Sequence, residues 1–185
     1  MLKPDYPITT ARLLLRPFVL ADLDVLYDIQ SRADVARYLY WGPRTREEVA
    51  DKLAERTGMT VLEKAGDSLV LAVELRATGA LIGDVNLFWL SEEHSQGEFG
   101  FVLHPDHHGH GYAGEAATEM LRLGFEGLGL HRITGRADGR NTASARVMEK
   151  LGMRREAYFV QNEFVKGEWT DEVVYAMLAS EWADR

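Results

Sequence analysis

Val102-Leu103-His104-Pro105-Asp106-His107-His108-Gly109-His110-Gly111-Tyr112-Ala113-Gly114-Glu115 is the stretch that decides the fold. It passes from an apolar run into a glycine-rich turn and then into helical spacing. Ala117, Met120, Leu121, Gly124, Phe125 and Leu128 share one face of a helix predicted from Gly114 to Leu128. Glycines let backbone N–H groups approach a ligand, and a helix start adds unpaired N–H groups and the positive end of its dipole. Together they predict a pyrophosphate cradle. Gly109, Gly111 and Gly114 also satisfy the G-x-G-x-x-G dinucleotide spacing, and Asp138 lies near the place of a ribose-binding acid. Against a dinucleotide site, the residues from His104 to His108 separate the strand from its first glycine, where that fingerprint has none.

Outward from this turn, the periodicity changes from strand-like to mixed. Upstream, Thr10–Arg16 alternates and stops at Pro17, and Asp22 is placed to cap a helix running to Gln30. Thr45-Arg46-Glu47-Glu48 is a capping box opening a second helix. Ser68–Arg76 and Ala80–Leu90 read as a hairpin about Ala77-Thr78-Gly79, followed by a strand at Gly97–Leu103. Downstream come a strand at His131–Ala137, a helix at Thr142–Leu151, and strands at Arg154–Val165 and Glu172–Leu178. Antiparallel strands with one strand-helix-strand unit predict a mixed α/β (α+β) class instead of a doubly wound sheet. No repeat or linker divides the chain, so one domain over residues 1–185 is expected.

Composition narrows the function classes. The 185 residues carry 21 Lys+Arg against 29 Asp+Glu, a net charge of −8, which argues against nucleic acid or an anionic membrane as partner. Cysteine is absent, excluding disulfides, thiolate metal sites and a cysteine nucleophile. Met1-Leu2-Lys3-Pro4-Asp5 has no signal-peptide core, and no later run is long and apolar enough for a membrane helix, so a cytoplasmic protein is expected. Between His131 and Arg155, Arg132, Arg136, Arg140, Arg146, Lys150, Arg154 and Arg155 face only Asp138 and Glu149, a local basic stretch suited to a polyanion. His104, His107, His108 and His110 crowd one loop but have no second half of a metal site, and no metal is expected. No Gly-x-Ser-x-Gly elbow or Gly-Lys-Ser/Thr loop occurs.

His108-Gly109-His110-Gly111-Tyr112-Ala113 resembles the acetyl-coenzyme A loop of the GNAT N-acetyltransferases, with His108 replacing the usual Gln or Arg. Asn141-Thr142-Ala143-Ser144 running into Glu149-Lys150-Leu151-Gly152 is similar to that superfamily's second signature. Arg12-Leu13-Leu14-Leu15-Arg16 and Gly167-Glu168-Trp169-Thr170-Asp171 resemble its RimJ/RimL-like branch. The resemblance implies a mostly antiparallel, twisted sheet of about seven strands with four helices, splayed between the strands flanking the cofactor-loop helix. It implies acetyl-CoA as cosubstrate, bound by Val102, Leu103, His108, Gly109, His110, Gly111, Tyr112, Ala113, Gly114, Asn141, Ser144, Arg146 and Lys150.

The implied reaction is direct attack of a primary amine on the thioester, the acceptor being a protein N-terminus or a small amine. Glu98 on the strand entering the cradle is the first candidate base; Glu163 and a water relay are the alternatives. Met148 occupies the position where many members carry an acidic tyrosine, which leaves Ser144 as the candidate proton donor and Asn141 as orienter or helix cap. Tyr40 and Trp41 are the expected acceptor-pocket residues, and a homodimer is left open. A non-catalytic acyl-CoA binding module and a nicotinamide-dinucleotide enzyme are the competing functions.

Overall fold

Ser68–Leu75 (β3) and Leu81–Ser91 (β4) bury consecutive apolar residues, Leu69 to Val73 and Leu81 to Val85, with only Gly83 and Asp84 interrupting. Strands buried on both faces belong at the centre of a covered sheet. The computed structural model describes residues 1–185, and these strands do sit there. The sheet has eight strands in the order β1-β2-β3-β4-β5-β6-β8-β7, with β1 Ile8–Thr9, β2 Leu13–Arg16, β5 Gln96–Leu103, β6 Arg132–Asp138, β7 Arg154–Val165 and β8 Glu168–Leu178. Every pair is antiparallel except β5 with β6.

Helices α1 (Leu23–Gln30) and α3 (Arg46–Arg56) cover one face, where Leu26, Val49 and Leu53 pack on Val70 and Ala72. Helices α4 (Tyr112–Arg122) and α5 (Thr142–Lys150) cover the other, burying Ala116, Met120 and Met148 with Val85, Leu87 and Phe99. The mixed class and the largely antiparallel sheet are as expected. Two short helices, α2 (Ala33–Ala36) and α6 (Ala179–Ala183), and the two-residue strand β1 were not, giving six helices and eight strands in place of four and about seven.

Local chemistry explains the other differences. The first strand begins at Leu13 because the Thr10 hydroxyl closes a tight turn with the Leu13 N–H and carbonyl. Asp22 does not cap α1; its carboxylate accepts from Arg16 at 2.8 and 2.9 Å and from the Val19 N–H. Thr45 and Glu48 form the predicted capping box. The last strand starts at Glu168, since Lys166 and Gly167 both have positive φ and make a two-residue hairpin turn directly after β7.

Candidate active site

β5 and β6 are paired only from Gln96 to Glu98 and from Arg132 to Thr134; beyond that they part. β5 continues on β4 to Leu103, and β6 continues on β8 to Asp138. The expected splay is present. The His104 N–H bonds the Ile82 carbonyl on β4, whereas the Ser95 carbonyl accepts from Arg132 on the β6 side. Because backbone direction alternates along a strand, Phe101 and Leu103 turn their polar groups into the gap, while Val102 directs its own to Asp84. Val102 still lines the cavity.

At the end of β5 the chain makes a short 3₁₀ turn at Pro105–His107 and enters the glycines. Gly109 and Gly111 have φ of 78° and 81°, conformations that disfavour any side chain. Gly111 is the N-cap of α4, so the helix starts at Tyr112, ahead of the predicted Gly114, and the first intrahelical bond runs from Glu115 N–H to the Gly111 carbonyl. The N–H groups of Tyr112, Ala113 and Gly114 are therefore free of helix bonds, and a Cβ on Gly109 or Gly114 would meet open space. Such a nest of free donors fits a diphosphate.

Two side chains brace this turn. His108 Nε2 contacts the Leu103 carbonyl at 2.9 Å; a carbonyl only accepts, so Nε2 carries the proton. Arg12, just before β2, donates to the His110 carbonyl at 2.8 Å, pairs with Glu115 at 2.7 Å, and lies over the Tyr112 ring, against which His110 stacks. No group of three His, Asp or Glu side chains is arranged to hold a metal ion.

The gap opens into a cavity of about 250 Å³. Ala72 points to α1 and α3, Asp84 lies opposite Ala72, and Val102 lies opposite Asp84, so all three share that face. Phe99 and Met148 belong to the core of the α4/α5 face. All but Ala72 line the cavity, which therefore passes through the sheet where β5 and β6 part.

Of the predicted side chains, Tyr40, Trp41, Asn141, Ser144 and Glu163 meet in this cavity. Asn141 caps α5, accepting from the Ser144 N–H at 3.1 Å. Glu98 is not a lining residue; its carboxylate is 3.0 Å from Arg136. Burial pushes the Glu98 carboxyl up, Arg136 opposes this, and the nearby carboxylates of Glu172 and Glu163 add to the rise. Burial, and then Glu163, likewise raise the Tyr40 phenol above its ordinary value.

Arg146 is not brought to the cavity; it lines a shallow cleft on another side of α5 with Arg155 and Tyr175, and Lys150 is exposed on the same helix. Met148 is buried with its sulfur against Gly135. The basic stretch is largely neutralised by acids from other elements: Arg132 by Glu156, Arg136 by Glu98 and Glu172, Arg140 by Asp138 and Glu168, Arg154 by Glu156 and Glu181.

Sequence reasoning missed Asp84. It is 1% exposed, pairs with Arg56 at 2.9 Å, and lines the cavity beside Asn86. A carboxylate inside an otherwise apolar central strand was the available signal, since such a charge is rarely buried without a partner.

The acetyltransferase (GNAT) domain family matches residues 12–154 of this chain. The uncharacterized N-acetyltransferase YnaD of Bacillus subtilis is 37% identical over 175 residues, covering 95% of this chain and 98% of the relative. A spermidine N(1)-acetyltransferase of Vibrio cholerae is 25% identical over 95% of this chain and 98% of its own length. Among solved structures, an acetyltransferase (GNAT family) from Bacillus anthracis superimposes with a TM-score of 0.84 at 36% identity, over 94% of this chain and 99% of the other.

Proposed function

The chain belongs to the GNAT acetyltransferase family, and from that premise we propose that it moves an acetyl group from acetyl-CoA to a small primary amine by direct attack in a ternary complex. The observation that carries this reading is the cavity crossing the sheet where β5 and β6 part, lined by Tyr40, Trp41, Ser144 and Glu163, together with the free N–H donors at the start of α4, the helix that follows β5. The Vibrio relative, named for spermidine, supports a small-amine acceptor over a protein N-terminus.

Acetyl-CoA supplies the acyl group as an activated thioester. The backbone donors of Tyr112, Ala113 and Gly114 suit its diphosphate, and Phe101 and the Leu103 N–H present strand-like groups to an extended amide-bearing arm, the Leu103 carbonyl being engaged by His108. The amine must arrive neutral. At pH 7 this costs roughly 4.6 kcal/mol for a lysine-type amine of pKa about 10.4 and about 1 kcal/mol for an α-amine near 7.8. Glu163 lines the cavity and has no basic partner, so it is the better-placed of the two candidate bases, acting directly or through water. Arg136 engages Glu98, which positions that guanidinium.

As the N–C bond forms, the C–S bond breaks. The nitrogen's proton passes to Glu163 and from there to solvent, while the departing thiolate is protonated from solvent through the Ser144 hydroxyl, which gives one proton as it takes another from water and so ends unchanged; Ser144 lies on the same cavity wall as Met148. Thiol release from acetyl-CoA against a panel of amines and peptides tests the proposal. Amine-stimulated release is expected; CoA binding by calorimetry without release across the whole panel would instead identify a binding module. A shift in melting temperature with nicotinamide dinucleotides and none with CoA would identify the dinucleotide alternative.

A further inference from the structure

The charges around the cavity are segregated by wall. On the wall of β6, β7 and β8, Arg136 is matched by Glu98 and Glu172, and Arg140 by Asp138 and Glu168, which leaves Glu163 as an additional, unmatched acid. Lys166 keeps its charge, but its ammonium bonds the carbonyls of Ala36 and Arg37 at 2.6 and 3.0 Å, which sets that charge beside Arg37.

The opposite wall, from the segment after α2 together with α3 and β4, has the reverse balance. Asp84 is its one lining carboxylate, and Arg56 answers it through a single nitrogen. Arg37 also lines the cavity and has no carboxylate partner; its guanidinium rests over the Tyr38 ring. Behind Trp41, Arg44 stacks on the indole at 4.3 Å and bonds only the neutral Gln30 side chain. Burial, and then the neighbouring Arg56, hold the Arg44 guanidinium below its ordinary pKa, as concentrated positive charge requires.

An acceptor reaching across this cavity meets negative charge at one end and positive charge at the other. A second ammonium would be placed against Arg37, with the Lys166 ammonium beside it, and like-charge juxtaposition is a strong determinant of which partners are rejected. A carboxylate there would gain planar, bidentate donors.

We infer that the acceptor is a small zwitterion, an amine that also carries a carboxylate, with its nitrogen turned to Glu163 and its carboxylate to Arg37. This rests on the acetyl-transfer reading above and names the substrate class for the same site. Its test is thiol release from acetyl-CoA with matched straight-chain sets, each an amino acid, a diamine and a monoamine of equal carbon number.

In the best-used set, kcat/KM for the amino acid is expected to exceed that for the diamine at least tenfold. Arg37→Glu, at an exposed position where folding is not at stake, is expected to cut that ratio at least tenfold. A diamine used as well as or better than its amino acid, or a ratio unmoved by Arg37→Glu, overturns the zwitterion inference and leaves acetyl transfer standing. No thiol release with any set overturns both.

Discussion

The helix after the cofactor turn is tied to the chain entering β2 by the Glu115 carboxylate, and removing it should have a calculable effect. Glu115 accepts from Thr10 Oγ1 at 2.6 Å, from the Arg12 N–H at 2.7 Å and from Arg12 Nε at 2.7 Å. Hydrogen bonds to a charged group contribute about 1.5–3 kcal/mol when shielded, and the Glu115 side chain is only 15% exposed. The Arg12 guanidinium is 48% exposed, so its ion pair adds at most about 1 kcal/mol. Glu115→Ala is therefore expected to cost about 3 kcal/mol, and Arg12→Ala, which keeps the Thr10 and backbone bonds but also loses the exposed bond to the His110 carbonyl and the Tyr112 contact, about 1–2 kcal/mol. For a chain of this size those losses lower Tm by roughly 6–12 °C and 2–8 °C.

The pH dependence separates the carboxylate from mere packing. Burial pushes the Glu115 carboxyl up, but the bonds from Thr10 and Arg12 outweigh it and hold it below the usual range. Its contribution is thus complete above the ordinary carboxylate pKa of about 4.3 and disappears as pH falls through the lower folded value. Urea unfolding of both variants from neutral pH into the acid range measures this. The deficit of Glu115→Ala should shrink below about pH 4. Equal losses for the two variants, or a deficit that persists in acid, would refute the clamp.

Further expectations concern the cradle and the chemistry. Gly111→Glu places a carboxylate at the free N–H groups and a side chain at φ 81°, costing about 1–2 kcal/mol of stability; CoA binding should be lost by calorimetry, and retained affinity would remove the cradle. Glu163→Gln is expected to lower kcat by about 10²–10⁴-fold for high-pKa amines and far less for α-amines, read from rates across an amine pKa series; a uniform loss would argue against proton transfer. Met148→Tyr, which would restore the phenol many family members use, is expected to destabilise by about 1–3 kcal/mol without raising kcat, because the Met148 sulfur already lies where a Cβ on Gly135 would be only 2.6 Å away. A faster enzyme of unchanged Tm would contradict that packing.

The elements that sequence revealed most clearly are those whose signals are local. Thr45 and Glu48 lie within one turn of each other, and their reciprocal bonds need nothing from the rest of the chain. Leu13 and Leu15 alternate with half-exposed neighbours because one face of β2 meets the core. Asp22 was misread for the opposite reason: a capping residue and an arginine partner compete for the same oxygens, and Arg16 is brought beside it only when the chain turns after β2. The start of α4 was placed late because Gly111 caps it with a left-handed backbone and no side chain, a cap with no polar residue to mark it. Its end runs into a π segment at Leu123–Gly127, where the Leu128 N–H bonds the Leu123 carbonyl, and nothing in the apolar spacing announces that widening.

The site was legible where it is made of backbone and obscure where it is made of charge. Gly109 and Gly111 need particular dihedral angles, and only glycine adopts them freely, so the residue type itself reveals the geometry. A charge has no such signature, because its effect depends on which partner the fold delivers. The arginines between His131 and Arg155 suggested an anion site, yet Glu98, Glu156, Glu168, Glu172 and Glu181 reach four of them from neighbouring strands and from α6. Asp84 has no basic neighbour in its own strand, yet α3 supplies Arg56 from another part of the chain and holds it in the cavity. In both cases the functional quantity is the residue left without a counter-ion after folding. By that measure Glu163 and Arg37, on opposite walls, carry more information about the acceptor than the whole basic run.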